Sequence, residues 1–433
     1  MTTRREFLGC AAAFGAAACW GAAGIKSVAR DVADPDSEVG KGYVGWKEGD
    51  FDLHFIHTGV GEGAFYIYPD GTTALVDAGD WKIADYGEDG AAPRPNGSKR
   101  PGEWIARYIS RLLPELKTID YVVASHFHSD HTGEVRVGAG MKGLSDPDAD
   151  YQISGIAHVG EYYRFGKAFD RGYPDYSRPT DWAPEERENL VRFWKHAESE
   201  YGLKRERFEV GALDQLGAVR APDRYAFHIR NVACNGIVWE NGAAVDYFAK
   251  NAENYNQKNE NTRSLAWVME YGPFRFYSGG DLSGVLRDAE GKNADFEGAV
   301  GRAVGRVDVC KANHHSYKDA MTKSFVNAVA PRVFVVCVWD RWHFQENTTE
   351  NMSDDSATGY PGPRMICPTT IHPLSKPLLE GKAWRKNVVE REGHVVVKAY
   401  DGGARYKVYY LSAQDESMRV DAVYGPFESG KAD

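Results

Sequence analysis

Cysteine is scarce, with six in 433 residues, which excludes a small scaffold built from disulfides. Strong hydrophobic runs are missing too. A mean hydropathy of −0.50 excludes a polytopic membrane protein. The chain lacks a basic excess: 52 Lys and Arg against 62 Asp and Glu leave a net charge of −10. A broad nucleic-acid footprint needs a basic face, so nucleic-acid binding is not expected. There is no internal repeat and no low-complexity tract. What remains is a globular composition, 42% hydrophobic and 26% charged. The length fits one large domain with insertions, or two to three ordinary ones.

The N-terminus differs from the rest. Arg4 and Arg5 precede Phe7 and Leu8, and an Ala-rich, weakly apolar stretch follows. The pattern resembles a twin-arginine export signal, with Ser27-Val28-Ala29 as the cleavage site. The stretch is too short and too Gly-rich for a stable membrane span. The expectation is a signal over residues 1–29 and a periplasmic or extracytoplasmic mature protein. Its removal takes away Arg4, Arg5, Lys26 and Glu6, so 49 basic and 61 acidic residues give a net charge of −12. Cys234, Cys310, Cys337 and Cys367 remain. This route exports proteins folded in a reducing cytoplasm, so no disulfide is assumed. Cys310 and Cys337 lie in apolar, strand-like runs and read as buried thiols.

Residues 51–57 alternate apolar and polar, predicting a half-buried strand. Two strands follow around the turn signal Asp70-Gly71. Trp104, Ile105, Tyr108, Ile109, Leu112, Leu113 and Leu116 recur at helical spacing, and a helix is predicted near 184–201. Strands are predicted at 225–231 and 236–240, then an antiparallel pair around Gly272-Pro273, two short helices, a strand over VDVCKANHH, a helix over 319–328, the strand RVFVVCVW, and a closing hairpin around Asp401-Gly402-Gly403. Segment 83–103 reads as an exposed loop and 340–393 as a long loop or lid, with 83–103 and 340–380 walling a cleft. Strands first, then helices alternating with strands, indicate a layered α/β chain.

The chemistry concentrates where the strand IDYVVAS ends in HFHSDH. His126, His128, Asp130 and His131 form H-x-H-x-D-H. Around a sharp turn, His126 and His128 can grip one metal while Asp130 and His131 grip a second. Three imidazoles and a carboxylate suit zinc, with manganese or iron as alternatives.

These residues resemble the metallo-β-lactamase superfamily over roughly residues 50–340. LVDAG places Asp77 where that family has an Asp that braces the metal loop. FYSGGD places Asp281 at the metal-bridging position, and KANHH supplies a ligand histidine. The doubled histidine, the preceding Lys311 and the segment HTGVGEGAFYIYPDG at 57–71 are most similar to the competence-protein and phosphorylcholine-esterase branch, whose pattern is K-x-x-H-H-G-S. Ser316 stands where that branch has Gly. The choice between His314 and His315 stays open; the favoured reading makes His314 the ligand and lets His315 contact substrate. Many relatives carry another histidine about twenty residues before the bridging Asp. Here Asn259 or Asn261 occupies that neighbourhood, and His158 or His228 are the alternatives. Asp281 stands where many zinc β-lactamases use Cys, which points away from antibiotic hydrolysis. His128 stands where the flavin-linked iron enzymes of this fold usually carry Glu, which points away from redox chemistry.

The resemblance implies a four-layer αββα fold. The expected organisation is a catalytic domain over 45–340, interrupted by an insertion near 134–222, with loop and closing strands at 341–433 packed on the same domain. It implies two divalent ions held by His126, His128, Asp130, His131, Asp281 and His314, and hydrolysis by a metal-bridged hydroxide. Asp130, Asp281 and His315 are the candidate catalytic residues, with Tyr317 a second proton donor. The expected substrate is a small or envelope-derived phosphodiester or related ester. A lactonase or thioesterase, or a non-catalytic metal-binding module of the same fold, are the alternatives. Oligomeric state stays open.

Overall fold

The computed structural model describes residues 37–81, 87–135, 150–177, 184–250, 259–287, 293–353 and 362–430. The expected export signal, residues 1–29, lies outside them. No helix of the described residues is long and apolar enough to cross a membrane.

Two large sheets face each other. The first contains β1 (Phe51–Phe55), β2 (Gly63–Ile67), β3 (Thr73–Ala78), β4 (Thr118–Val123), β5 (Arg164–Asp170) and β6 (Lys204–Arg207), with β17 (His394–Tyr400), β18 (Arg405–Leu411) and β19 (Val420–Glu428) added beside β1, in the order β19-β18-β17-β1-β2-β3-β4-β5-β6. The second contains β7 (Phe227–Cys234), β8 (Ile237–Glu240), β9 (Ala243–Asp246), β10 (Ala266–Tyr271), β11 (Phe274–Ser278), β14 (Val309–Lys311), β15 (Val333–Val336) and β16 (Met365–Pro368), in the order β16-β15-β14-β11-β10-β7-β8-β9. A small ribbon pairs β12 (Val285–Arg287) with β13 (Asn293–Asp295).

Three apolar layers result. Between the sheets lie Phe55, Tyr66, Phe276 and Val309, with Tyr66 edge-on to Phe276 at 5.6 Å. Outside the first sheet pack α1 (Pro101–Leu112), α3 (Gly155–Gly160) and α4 (Pro184–Tyr201), through Ile105, Ile156 and Trp194. Outside the second sheet pack α6 (Phe296–Val304), α7 (Lys323–Val329) and α8 (Glu346–Ser353), through Val300, Phe325 and Met352. Two single turns, α2 (Ser129–Thr132) and α5 (Tyr247–Lys250), complete the helices described. The architecture is αββα, as expected. Both faces of the central strands are covered, because these strands carry apolar residues on both sides, while the edge strands β6 and β9 stay largely exposed.

Some expectations meet a different structure. β1 is buried along its whole length. Its polar residues are enclosed: His54 Nδ1 meets Tyr108 Oη at 3.0 Å and Asp52 accepts from Tyr43 Oη at 2.8 Å. The segment 340–393 is not one loop, since it holds α8 and β16, a short strand parallel to β15. Between 282 and 308 the described residues hold one helix and the small ribbon. Cys234, Cys310, Cys337 and Cys367 are free and buried.

The parallel strands share a direction that places function. β3 pairs parallel with β4, and β11 with β14. Their carboxyl ends open on one crevice, where ligands of open α/β sheets collect.

Candidate metal centre

Asp77 ends β3 with φ 58°, in the left-handed region. That conformation aims its carboxylate at the next strand end. Asp77 accepts from Ser125 N and from Ser125 Oγ, both at 2.7 Å, and meets His131 Nδ1 at 2.9 Å. Gly79 follows, where a Cβ would stand 1.7 Å from Asp130 O. The backbone is that close because Gly79 N donates to Glu62 O at 2.7 Å, Glu62 N to Asp130 O at 2.8 Å, and Asp80 N to Ser129 O at 3.0 Å. The turn after β1, the end of β3 and the histidine loop are thereby sewn together.

On this base the side chains converge. The Nε2 atoms of His131 and His315 lie 3.2 and 3.3 Å from Asp281 Oδ2, and those of His314 and His126 lie 3.8 and 3.9 Å from it. His126 Nε2 also meets His128 Nδ1 at 3.2 Å. Asp130 Oδ2 is 3.2 Å from His315 Nε2 and 3.7 Å from His131 Nε2.

Tautomers follow from the partners. His131 Nδ1 donates to Asp77, His315 Nδ1 to Cys337 O at 2.8 Å, and His314 Nδ1 to Asp319 Oδ1 at 2.6 Å. Ser125 gives its single hydroxyl hydrogen to Asp77, so the 3.1 Å contact with His126 Nδ1 takes its proton from the ring. In the neutral rings of His126, His131 and His315, Nε2 then carries the lone pair and faces Asp281; that of His314 faces Asp281 and also accepts from Asn261 Nδ2.

This arrangement fits divalent metal. Bond lengths of about 2.0–2.2 Å give a tetrahedron whose ligand atoms stand about 3.3–3.6 Å apart. His131 Nε2 and His315 Nε2 lie 3.3 Å apart, with Asp281 Oδ2 at 3.2 and 3.3 Å from them and Asp130 Oδ2 at 3.7 and 3.2 Å. Electrostatics agree. Burial lowers the pKa of His315, but Asp281 and Asp130 outweigh it and raise it to about 10. Burial raises Asp130, but His131 and His315 outweigh that and bring it to about 2. The carboxylates demand positive charge between the imidazoles, which a dication supplies. Glu62 extends the set: one atom each from Glu62, His131, Asp281 and His315 lie within 4.8 Å of one another.

The structure thus brings His126, His128, Asp130, His131, Asp281, His314 and His315 together. His315 is the doublet member that meets Asp130 and His131. His314 lies on the other side, where Asn261 Nδ2 donates to its Nε2 at 3.0 Å. Asn259 instead accepts from Asn261 N. His228 is exposed and pairs with Asp214 at 2.9 Å. His158 lies on α3, its ring 6.0 Å from that of Tyr162.

Other side chains complete the surroundings. Lys311 Nζ, fully enclosed, donates to Gly280 O at 2.8 Å, pairs with Glu62 Oε2 at 2.9 Å and lies 3.9 Å from Asp281 Oδ1. Arg171 holds Glu260 at 2.5 and 2.7 Å, and Glu260 accepts from Phe127 N at 3.1 Å. Trp339 Nε1 donates to Asp130 Oδ2 at 3.2 Å and packs 5.4 Å from Trp81. His343 stacks on His315 at 4.3 Å. A carboxylate set among glycines beside an apolar strand was the available signal for Glu62. For Arg171 and Glu260 there was none.

Residues 58–138 match the profile of the metallo-beta-lactamase superfamily. The matched stretch includes the HFHSDH loop, and the two-sheet αββα architecture is consistent with the metallo-beta-lactamase fold. No curated protein matches the chain. Among solved structures 44 chains match. One is a mutant of the β-hydroxylase CmlA, 11% identical, aligned over 66% of this chain and 45% of its own length, with a TM-score of 0.34. The chain therefore spans less than half of that protein.

Proposed function

We propose that this chain is an exported metal-dependent hydrolase of phosphodiesters or related esters. The convergence of His131, His315, Asp130 and Asp281, with Glu62 beside them, is the observation that carries the reading. Two divalent ions bound here, zinc by ligand chemistry with manganese or iron as alternatives, would supply a nucleophile near neutral pH and offset charge growing on the substrate's oxygens.

The chain's own groups do the rest. Asp281 stands between the two halves and sets their spacing. Asp130, fixed by Trp339, orients the attacking water. Asp77 and Cys337 O hold the rings of His131 and His315. Both nitrogens of His315 are engaged, which suits a ligand. Tyr317, its ring 5.0 Å from that of His314, is the candidate donor of the leaving-group proton. The substrate class rests on the resemblance of residues 57–71 and KANHH to the branch named above, and export on the Arg4-Arg5 segment.

Metal analysis combined with a substrate panel tests the reading. Two ions per chain are expected, with turnover of bis-p-nitrophenyl phosphate that Asp281→Ala abolishes. Unchanged turnover in that variant would sink the two-metal mechanism. Lactone or thioester turnover without phosphodiester turnover would make the chain an acyl hydrolase. One ion or none, with no turnover, would favour the non-catalytic module.

A further inference from the structure

His314, His315 and Ser316 have φ values of 45°, 51° and 61°, three consecutive residues in the left-handed region. Neighbouring side chains usually diverge. This backbone lets two of them reach the same carboxylate from different sides. His315 meets Asp281 Oδ2 at 3.3 Å together with Asp130 and His131. His314 meets the same oxygen at 3.8 Å, as His126 does at 3.9 Å. Its ring is locked by Asp319 at 2.6 Å, and its Nε2 lone pair accepts from Asn261 Nδ2 at 3.0 Å, a hydrogen bond that a cation bound there would replace.

We propose that the two adjacent histidines serve different ions. His315 completes the Asp130–His131 half. His314 completes the His126–His128 half, taking over from the neighbourhood of Asn261 the third imidazole that the chain lacks there. The first half is then His126 Nε2, His128 Nδ1, His314 Nε2 and Asp281 Oδ2, a three-imidazole, one-carboxylate set suited to zinc. Its distances to Asp281 are longer than those of the second half, which makes it the weaker site. The inference rests on the metal-centre reading above, and its test separates the two.

Calorimetric titration of the chelator-stripped full chain with Zn2+, alongside Co2+ absorption spectra, reads stoichiometry and stepwise affinity. The unaltered chain should take up two ions with distinct affinities. His314→Ala should lose the weaker ion and keep the tighter one, whereas His315→Ala should lose the tighter. Adding Asn261→His to His314→Ala should restore a second ion. Asp319→Asn leaves the ligand in place but loosens its ring, and should weaken only the ion of the His126–His128 half, the weaker one, by about 10- to 100-fold; it serves if His314→Ala fails to fold. Two ions at unchanged affinity in His314→Ala would overturn the inference while leaving the metal centre standing. So would loss of the same ion from both histidine variants. An unaltered chain that takes up no ion would overturn the metal-centre reading itself.

Discussion

Arg171 and Glu260 form a bidentate, buried ion pair across 89 residues of sequence, and the carboxylate also holds the backbone between two metal-site histidines. Glu260 accepts from Phe127 N, and the Arg171 guanidinium lies 4.5 Å from the Phe127 ring centre. Removing one partner strands the other's charge. Arg171→Met should cost about 3–5 kcal/mol in denaturant unfolding. It should also weaken metal uptake, because Phe127 fixes the spacing of His126 and His128. The double variant with Glu260→Gln should cost less than the sum of the two single changes, a coupling that a double-mutant cycle measures.

Asp77→Asn tests the brace. An amide keeps an oxygen at only one of the two positions, so its NH2 faces either Ser125 N or the pair Ser125 Oγ and His131 Nδ1, all of them donors. Metal affinity should fall about 10- to 100-fold while the fold persists. Equal Zn2+ affinity in the variant would show that Ser125 alone holds the loop.

Gly79→Ala tests the close approach of chains. The added Cβ meets backbone, which cannot rotate away. A loss of about 1–3 kcal/mol is expected, the usual cost of overpacking. Metal uptake should fall with it, because the atom displaced is the carbonyl of Asp130.

Acid should weaken the fold through histidines outside the centre. Burial depresses His57 and His158 from 6.5 to about 4 each. The contribution of each is fully present above pH 6.5 and is lost as pH falls toward 4. It amounts to at most roughly 3 kcal/mol per group, since one pKa unit is about 1.4 kcal/mol. Unfolding measured between pH 7 and 4 should show this decline. His158→Gln should flatten part of it.

The parts of the fold and site that were legible in the sequence share a property: their signal is local. His126 to His131 stand together behind an apolar strand. Asp77 and Asp281 each close a short strand ending in glycine. The hairpin turns at Asp70-Gly71 and Gly272-Pro273 carry their own residue chemistry. What was illegible depends on distant partners. Lys311 finds Glu62 from 249 residues away, so neither announces the other. β1 reads as half-exposed because Asp52 and His54 are polar, yet Tyr43 and Lys398 pair with Asp52 and Tyr108 with His54 under cover. In 340–393, a four-residue strand is too short for periodicity to show. The roles within the His314-His315 doublet depend on backbone torsions that no spacing reveals.

The crevice draws its donors from both sheets. His126, His128, Asp130 and His131 follow β4 of the first, while Asp281, His314 and His315 follow β11 and β14 of the second. Apart from these groups and the Lys311–Glu62 and Arg171–Glu260 pairs, the halves meet through an apolar interface, which is non-directional. A bound cation would act as a rivet through that interface, fixing one registration of the two layers. Metal supply would then govern resistance to heat and proteolysis as well as turnover. Saturation at a hundred times Kd adds about 2.7 kcal/mol, so the stripped chain should melt at a lower temperature and exchange amide hydrogens faster along both rims of the crevice at once.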